Sequence, residues 1–288
     1  MSKETTVDAI LNYIENNLEA KLIDINSLVI YSGYSRRYIQ QIFRNNIGMP
    51  VGKYIQRRRT TRAAVLLRLT RLSIITISER LCYDSQQTFT REFKKNTGYT
   101  PLQYRRDKVW TFRNQTGHRR LNISFPVPEL WSLERKKIHG FNINYKEKIP
   151  FNAMYSQQKW DVVKSLLSKS ETPLFISNST RPDEKISDSF IIHSIFWAKG
   201  KDSQTKYFID KGIYARFTYN GEIESYIFHI NNIYLNVLSY YALQKREGFD
   251  LEVISKNNNG EFEFEYFLPI KNDGNLSIPD THNFTFPY

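Results

Sequence analysis

The chain of 288 residues contains one cysteine, Cys82, so no intrachain disulfide is possible and a reducing compartment is expected. Cys82 ends the apolar run Ile77–Cys82, where it reads as a small buried hydrophobe and not as a redox centre. Histidine is also scarce. The five residues, at 118, 139, 193, 229 and 282, are scattered without ligand spacing, which with one cysteine predicts no metal site and no cofactor. Long hydrophobic runs are missing: no stretch approaches the ~18 apolar residues of a membrane span, and the first residues lack the apolar core of a signal peptide. The expected location is the cytoplasm. Acidic residues are short in one half only. Residues 1–120 carry 22 Lys and Arg against 9 Asp and Glu, whereas residues 121–288 carry 19 against 20, so the net charge of +12 belongs to the first part. A polyanionic partner for that part is implied.

What is present is a repeat. Ser35, Phe43, Asn46, Gly48 and Tyr54 return fifty residues later as Ser85, Phe93, Asn96, Gly98 and Tyr104, and Arg44 returns as Lys94. Each copy predicts an N-capped helix, with Ser35 or Ser85 as the cap. At 100° per residue, Arg36, Arg37, Gln40, Gln41 and Arg44 fall within one arc of about 140°, leaving Ile39, Ile42 and Phe43 for the core. The same offsets gather Gln86, Gln87, Thr90, Arg91 and Lys94, with Phe89 and Phe93 on the buried side. Glu92 replaces Ile42 and is expected to be more exposed.

These side chains suit a DNA groove. Guanidinium donates two hydrogen bonds to guanine O6 and N7, and a glutamine amide pairs with adenine N6 and N7. Lys94 and Lys95, about two turns into their helix, are better placed for phosphate. A solvated face is the alternative for either stripe alone; repetition at matching phase favours groove reading. Between the copies, Pro50 opens a helix to about Leu69, whose roughly nineteen residues span about 28 Å, comparable with the ~34 Å between major-groove segments one turn apart. Arg57, Arg58, Arg59 and Arg62 lie on or beside it, as phosphate contacts or as a solvated face. Val7, Ile10, Leu11, Ile14 and Leu18 predict an amphipathic first helix, and Pro101 a last short one.

Beyond Phe125 the pattern becomes strand-like, with runs at 130–133, 138–145, 190–197, 213–219, 251–254 and 262–270 and helical patterns near 154–167 and 225–245. The predicted fold is an all-α double helix–turn–helix domain (1–110), a linker (111–124), an α+β domain (125–271) and a tail (272–288).

The segment from Val7 to Arg106 resembles the DNA-binding domain of the AraC/XylS transcription activators, and within them the MarA, SoxS and Rob branch. The run Asp84–Arg91 with Phe93, Lys94 and Lys95, together with Gly33–Ser35 and Gly48, carries that resemblance. It implies that Gln86, Gln87, Thr88, Thr90 and Arg91 face the groove in the second helix, and Arg37, Gln40, Gln41 and Arg44 in the first. Two positions depart from the branch: Arg37 stands where it usually has Trp, and Gln41 where it has Arg, so one half-site is expected to change. The segments 127–131, 140–145, 213–221 and 265–270 resemble a GyrI-like domain, as in Rob. That implies an effector pocket for a small apolar ligand, with Glu265 as its glutamate, and Trp197 and Tyr219 are weighed as lining or as core. The implied protein is not an enzyme. It would be an activator of stress or multidrug-resistance genes, binding double-stranded promoter DNA as a monomer and contacting RNA polymerase. GyrI-like hydrolysis at Glu265, a C-terminal protein-interaction module without a ligand, and an architectural DNA binder without an effector are the alternatives.

Overall fold

The computed structural model describes residues 3–119, 125–148, 157–169, 172–198, 206–257, 259–271 and 281–284. The N-terminal part is helical: α1 (Lys3–Asn17), α2 (Ile25–Ser32), α3 (Arg36–Ile47), α4 (Val51–Leu69), α5 (Ile74–Arg80), α6 (Gln86–Thr97) and α7 (Pro101–Arg106). The pairs α2–α3 and α5–α6 are the two helix–turn–helix motifs, joined by α4. Val7, Ile10, Leu11, Ile14 and Leu18 are all buried, as their spacing requires, and meet Leu28, Ile39, Ile42, Phe43 and Tyr54 in one cluster. Gly33 takes the left-handed conformation (φ 72°) after α2, but in the second motif Cys82 does so (φ 56°). Cys82 is therefore a half-buried turn residue, and not the buried hydrophobe expected from the apolar run.

The rest is built on strands: β1 (Val109–Trp110), β2 (Glu129–Leu133), β3 (Lys136–Lys148), α8 (Gln157–Leu167), β4 (Leu174–Pro182), β5 (Ser189–Trp197), β6 (Lys206–Ile209), β7 (Gly212–Asn220), α9 (Ile223–Asn232), a π-helical turn (Ile233–Val237), α10 (Leu238–Tyr240), β8 (Lys245–Arg246), β9 (Asp250–Lys256), β10 (Phe262–Pro269) and β11 (Thr281–Phe284). The main sheet runs β11-β2-β7-β10-β9-β4-β5-β3-β6, and its neighbours are antiparallel except the parallel pair β11–β2. β3 changes partner midway: Lys136–His139 pair with β6 and Gly140–Lys148 with β5. Glycine is required at that corner, because a Cβ on Gly140 would lie 2.0 Å from Phe196 O.

Several expectations need correction. β4 and β6 were not foreseen. In β4 the alternation is hidden by Ser177 and Asn178, which are buried with their oxygens bonded: Trp197 Nε1 donates to Ser177 Oγ (2.8 Å) and Ser194 Oγ to Asn178 Oδ1 (2.5 Å). The helix expected over 225–245 ends at Tyr240, and Ala242 turns the chain at φ 53°. Its last expected residue, Lys245, instead joins Arg246 in pairing with Val109 and Trp110. Asp250 fastens this region by accepting from Tyr266 Oη (2.6 Å), Lys245 Nζ (2.6 Å) and Tyr234 Oη of the π-helical turn.

The expected linker is packed. Trp110, Phe112, Gln115 and Thr116 are buried, and Ser239 Oγ donates to Phe112 O (3.2 Å) and Gln115 O (2.5 Å). One hydrophobic cluster therefore runs from Leu67, Ile77, Phe89 and Phe93 through Trp110 and Phe112 to Phe217, Val237, Leu238 and Leu268. In the expected tail, Thr281–Phe284 form β11 beside β2. Residues 120–124 of the expected linker, 154–156 of the expected helix, and 272–280 and 285–288 of the tail lie outside the described residues.

Candidate nucleic-acid interface

The two reading helices are built alike. Ser35 Oγ accepts from Tyr38 N (3.3 Å) and Ser85 Oγ from Thr88 N (3.1 Å), filling one open donor at each N-terminus. At the other end Gly48 (φ 77°) and Gly98 (φ 88°) close each helix, their N–H groups donating to Arg44 O and Lys94 O. Both helices are 12 residues long, so the two stripes begin and end in the same phase.

Arg36, Arg37, Gln40, Gln41 and Arg44 are exposed on α3, and Gln86, Gln87, Arg91, Lys94 and Lys95 on α6. Thr88 and Thr90 are half-buried, and Ser85 Oγ donates to Thr88 Oγ1 (3.1 Å). Glu92 is half-buried where Ile42 is buried. Arg36 differs from the rest of its stripe in having a partner on α2: Nη2 donates to Asn26 Oδ1 (2.8 Å).

The basic excess is not all turned outward. Arg58 is buried and donates to both Glu15 oxygens (2.8–3.0 Å) and to Thr116 O (2.6 Å). Arg62 bridges Glu15 (2.9 Å) and Glu19 (3.0 Å), and Arg80 of the second motif pairs with Glu19. Burial alone would raise the Glu15 carboxyl, but Arg58 and Arg62 hold it down at about 2. Arg105 donates to Leu67 O (3.2 Å) and Leu72 O (2.6 Å), and Arg119 to Ile47 O (3.1 Å). Arg58 and Arg62 thus fasten the helices together and are not phosphate contacts. Their partners come from the N-terminal end of the chain: Glu15 lies in the last turn of α1 and Glu19 in the turn that follows it.

The three effector candidates do not converge. Glu265 and Trp197 share one sheet face and one row, Glu265–Val253–Phe175–Trp197, but three strand spacings separate them, about 14 Å. Tyr219 points to the opposite face, packed on Phe264, Tyr226 and His229. Glu265 is not a bare carboxylate, because Arg216 holds both its oxygens (3.0 Å each) while also reaching Glu129 (2.6 Å) and lying over the Trp131 ring. Arg216, the residue that holds Glu265, was missed in the sequence.

Among the described residues no group of three or more His, Cys, Asp and Glu is placed to hold a metal ion. Among the described residues, no helix is long and apolar enough to cross a membrane.

A helix–turn–helix family model matches residues 28–107. The F1 operon positive regulatory protein of Yersinia pestis is 44% identical over 273 residues, covering 94% of this chain and 89% of its own. The transcriptional regulator Rob of Salmonella typhimurium is 30% identical over 267 residues (88% and 91%), and the right origin-binding protein of Escherichia coli 29% over 266 (88% and 91%). The matches to these three relatives run through both halves of the chain. The chain belongs to the AraC/XylS family of DNA-binding transcriptional regulators, among its Rob-like members.

Proposed function

We propose that the chain is a sequence-specific activator that binds promoter DNA as a monomer, placing α3 and α6 in successive major-groove segments. The observation that carries this is the pair of exposed stripes in one phase on helices of equal length, joined by the 19-residue α4. That helix, at about 28 Å, lets one polypeptide do what two helix–turn–helix subunits usually do. A relative named as a positive regulatory protein of an operon supports activation, which in this reading proceeds through contact with RNA polymerase at stress or drug-resistance genes. Arg37 and Gln41 place an arginine and an amide where the branch has Trp and Arg, so the α3 half-site differs from the branch while the α6 half-site keeps its preference.

Selection from random duplexes, with the mass of the complex measured on the selected site, tests this reading. The expected result is one bipartite site occupied by one copy. Enrichment of no sequence, or two copies per site, would sink it.

The sheet face bearing Glu265, Trp131 and Trp197 is the proposed effector face. Both Glu265 oxygens are committed to Arg216, which removes support from a hydrolase built on Glu265, since no free carboxylate is offered to a substrate. A cationic ligand would have to displace Arg216, so apolar anions and neutral compounds are the better probes. Tryptophan emission of the full chain, titrated with both classes, should saturate with the latter. No saturation with any compound leaves a protein-interaction module.

A further inference from the structure

Arg59 is left out of the internal pairing that takes up its neighbours. Arg57 donates to Asn114 Oδ1 (3.3 Å), and Arg58 and Arg62 are held by Glu15. Arg59 Nε and Nη2 are buried and find no hydrogen-bond partner among the described residues. The residue is half-buried, and two enclosed guanidinium nitrogens without partners carry a desolvation cost that native structures seldom leave uncompensated.

Its position indicates what compensates it. Arg59 lines a groove of about 480 Å³ between the two motifs, with Gln40 of α3 on one wall and Tyr83 and Glu92 of the second motif on the other. Gln40 belongs to one reading stripe, and Glu92 follows Arg91 of the other. A duplex that reaches both stripes must therefore cross the mouth of this groove. What lies between two successive major-groove segments is a minor groove edged by backbone phosphates. Burial pushes the Tyr83 hydroxyl up to about 12, with Glu92 adding to the rise and Arg59 opposing it, so the phenol stays a donor at working pH. Two acids also line the groove. The Asp24 carboxylate keeps its charge but is held in capping α2, accepting from Ser27 N (2.8 Å) and Ser27 Oγ (2.7 Å), whereas Glu92 has no capping role and is the acid free to oppose an incoming anion.

We propose that the Arg59 guanidinium takes a backbone phosphate of the DNA running between the two half-sites, with Glu92 setting a repulsive limit on that contact. The proposal rests on α3 and α6 being the groove readers. It assigns Arg59 to affinity and register and not to base choice, because a phosphate carries no sequence information.

The test uses the full chain and one duplex containing its selected site, with Kd measured across a salt series for the wild type, Arg59→Gln, Arg59→Lys, Glu92→Gln and Arg91→Ala. Arg59→Gln is expected to weaken binding about threefold to tenfold and to lower the log–log salt slope by roughly 0.9, one phosphate's worth. The loss should be the same on duplexes with either half-site altered. Arg59→Lys should keep the slope, and Glu92→Gln should bind about twofold tighter or more. Wild-type affinity and slope in Arg59→Gln, with Arg91→Ala weakened, overturn the proposal and leave the reading helices standing. If Arg91→Ala also binds as the wild type does, the reading-helix assignment itself fails. Melting curves verify folding; should Arg59→Gln not fold, unchanged affinity in Glu92→Gln overturns the proposal on its own.

Discussion

The first helix–turn–helix motif packs Phe43 edge-on against Tyr54 at 5.3 Å, inside a cluster drawn from α1 to α4 and the loop before α2. The second packs Phe93 edge-on against Tyr104 at 5.2 Å, inside a cluster that continues through Trp110 and Phe112 into the sheet. Two repeats with the same aromatic pair and the same caps thus stand on different foundations. The first motif is completed by α1, which belongs to its own end of the chain. The second is completed by β1, the π-helical turn and β7. A change on the sheet reaches α6 through packed side chains, and α3 only through α4 and the Glu15 and Glu19 bridges.

The largest expected effect separates the two cores. Phe43→Ala and Phe93→Ala should each cost about 3–5 kcal/mol. All four tryptophans, at 110, 131, 160 and 197, lie beyond α7. Phe93→Ala is therefore expected to shift tryptophan emission and raise amide exchange in β7 and α9, whereas Phe43→Ala should loosen only α1 to α4. Equal responses from the two variants would mean the cores are not distinct.

Acid should attack the first motif earlier. The folded Glu15 carboxyl lies at about 2 against an ordinary 4.5, so its contribution is complete above about pH 4.5 and is lost as pH falls through 2. The difference corresponds to roughly 3 kcal/mol. Chemical denaturation between pH 5 and 2 should show this loss in the wild type, and a smaller pH dependence in Glu15→Gln, which starts less stable because Arg58 is left buried and unpaired.

The caps offer a finer comparison. Ser35→Ala and Ser85→Ala should each cost about 1 kcal/mol, and the near-equal distances at the two caps predict near-equal melting shifts. The smallest effect concerns the turns. Gly33 is already suited to its left-handed position but Cys82 is not, so Cys82→Gly should gain up to about 1 kcal/mol, the relief of strain less the added freedom of the unfolded chain. A loss of stability on that change would show that the Cys82 side chain packs usefully in the turn.

Much of the helical half was legible because its signals are local. Serine caps, glycine stops, Pro101 and the spacing of Val7 to Leu18 act within a few residues of themselves, so the boundaries of α3, α4, α6 and α7 follow from the chain directly. β4 was not legible, because Ser177 and Asn178 are acceptable inside only once Trp197 and Ser194 arrive from β5. The stripes on α3 and α6 could be read from phase alone. That Arg36 turns to Asn26, and that Glu265 is held by Arg216, could not.

The sequence by itself determined two capped reading helices, their common phase, the length of the helix between them and the change to strands after Phe125, since each depends on neighbours a few residues away. Tertiary structure alone decided which arginines face outward, because pairing Arg58 and Arg62 with Glu15 across more than forty residues is a matter of how α1 lies on α4. It also decided that the supposed linker is core, and that Tyr219 and Glu265 lie on opposite faces of the sheet. Burial and ion pairing depend on what the rest of the chain brings alongside, and no local pattern encodes that.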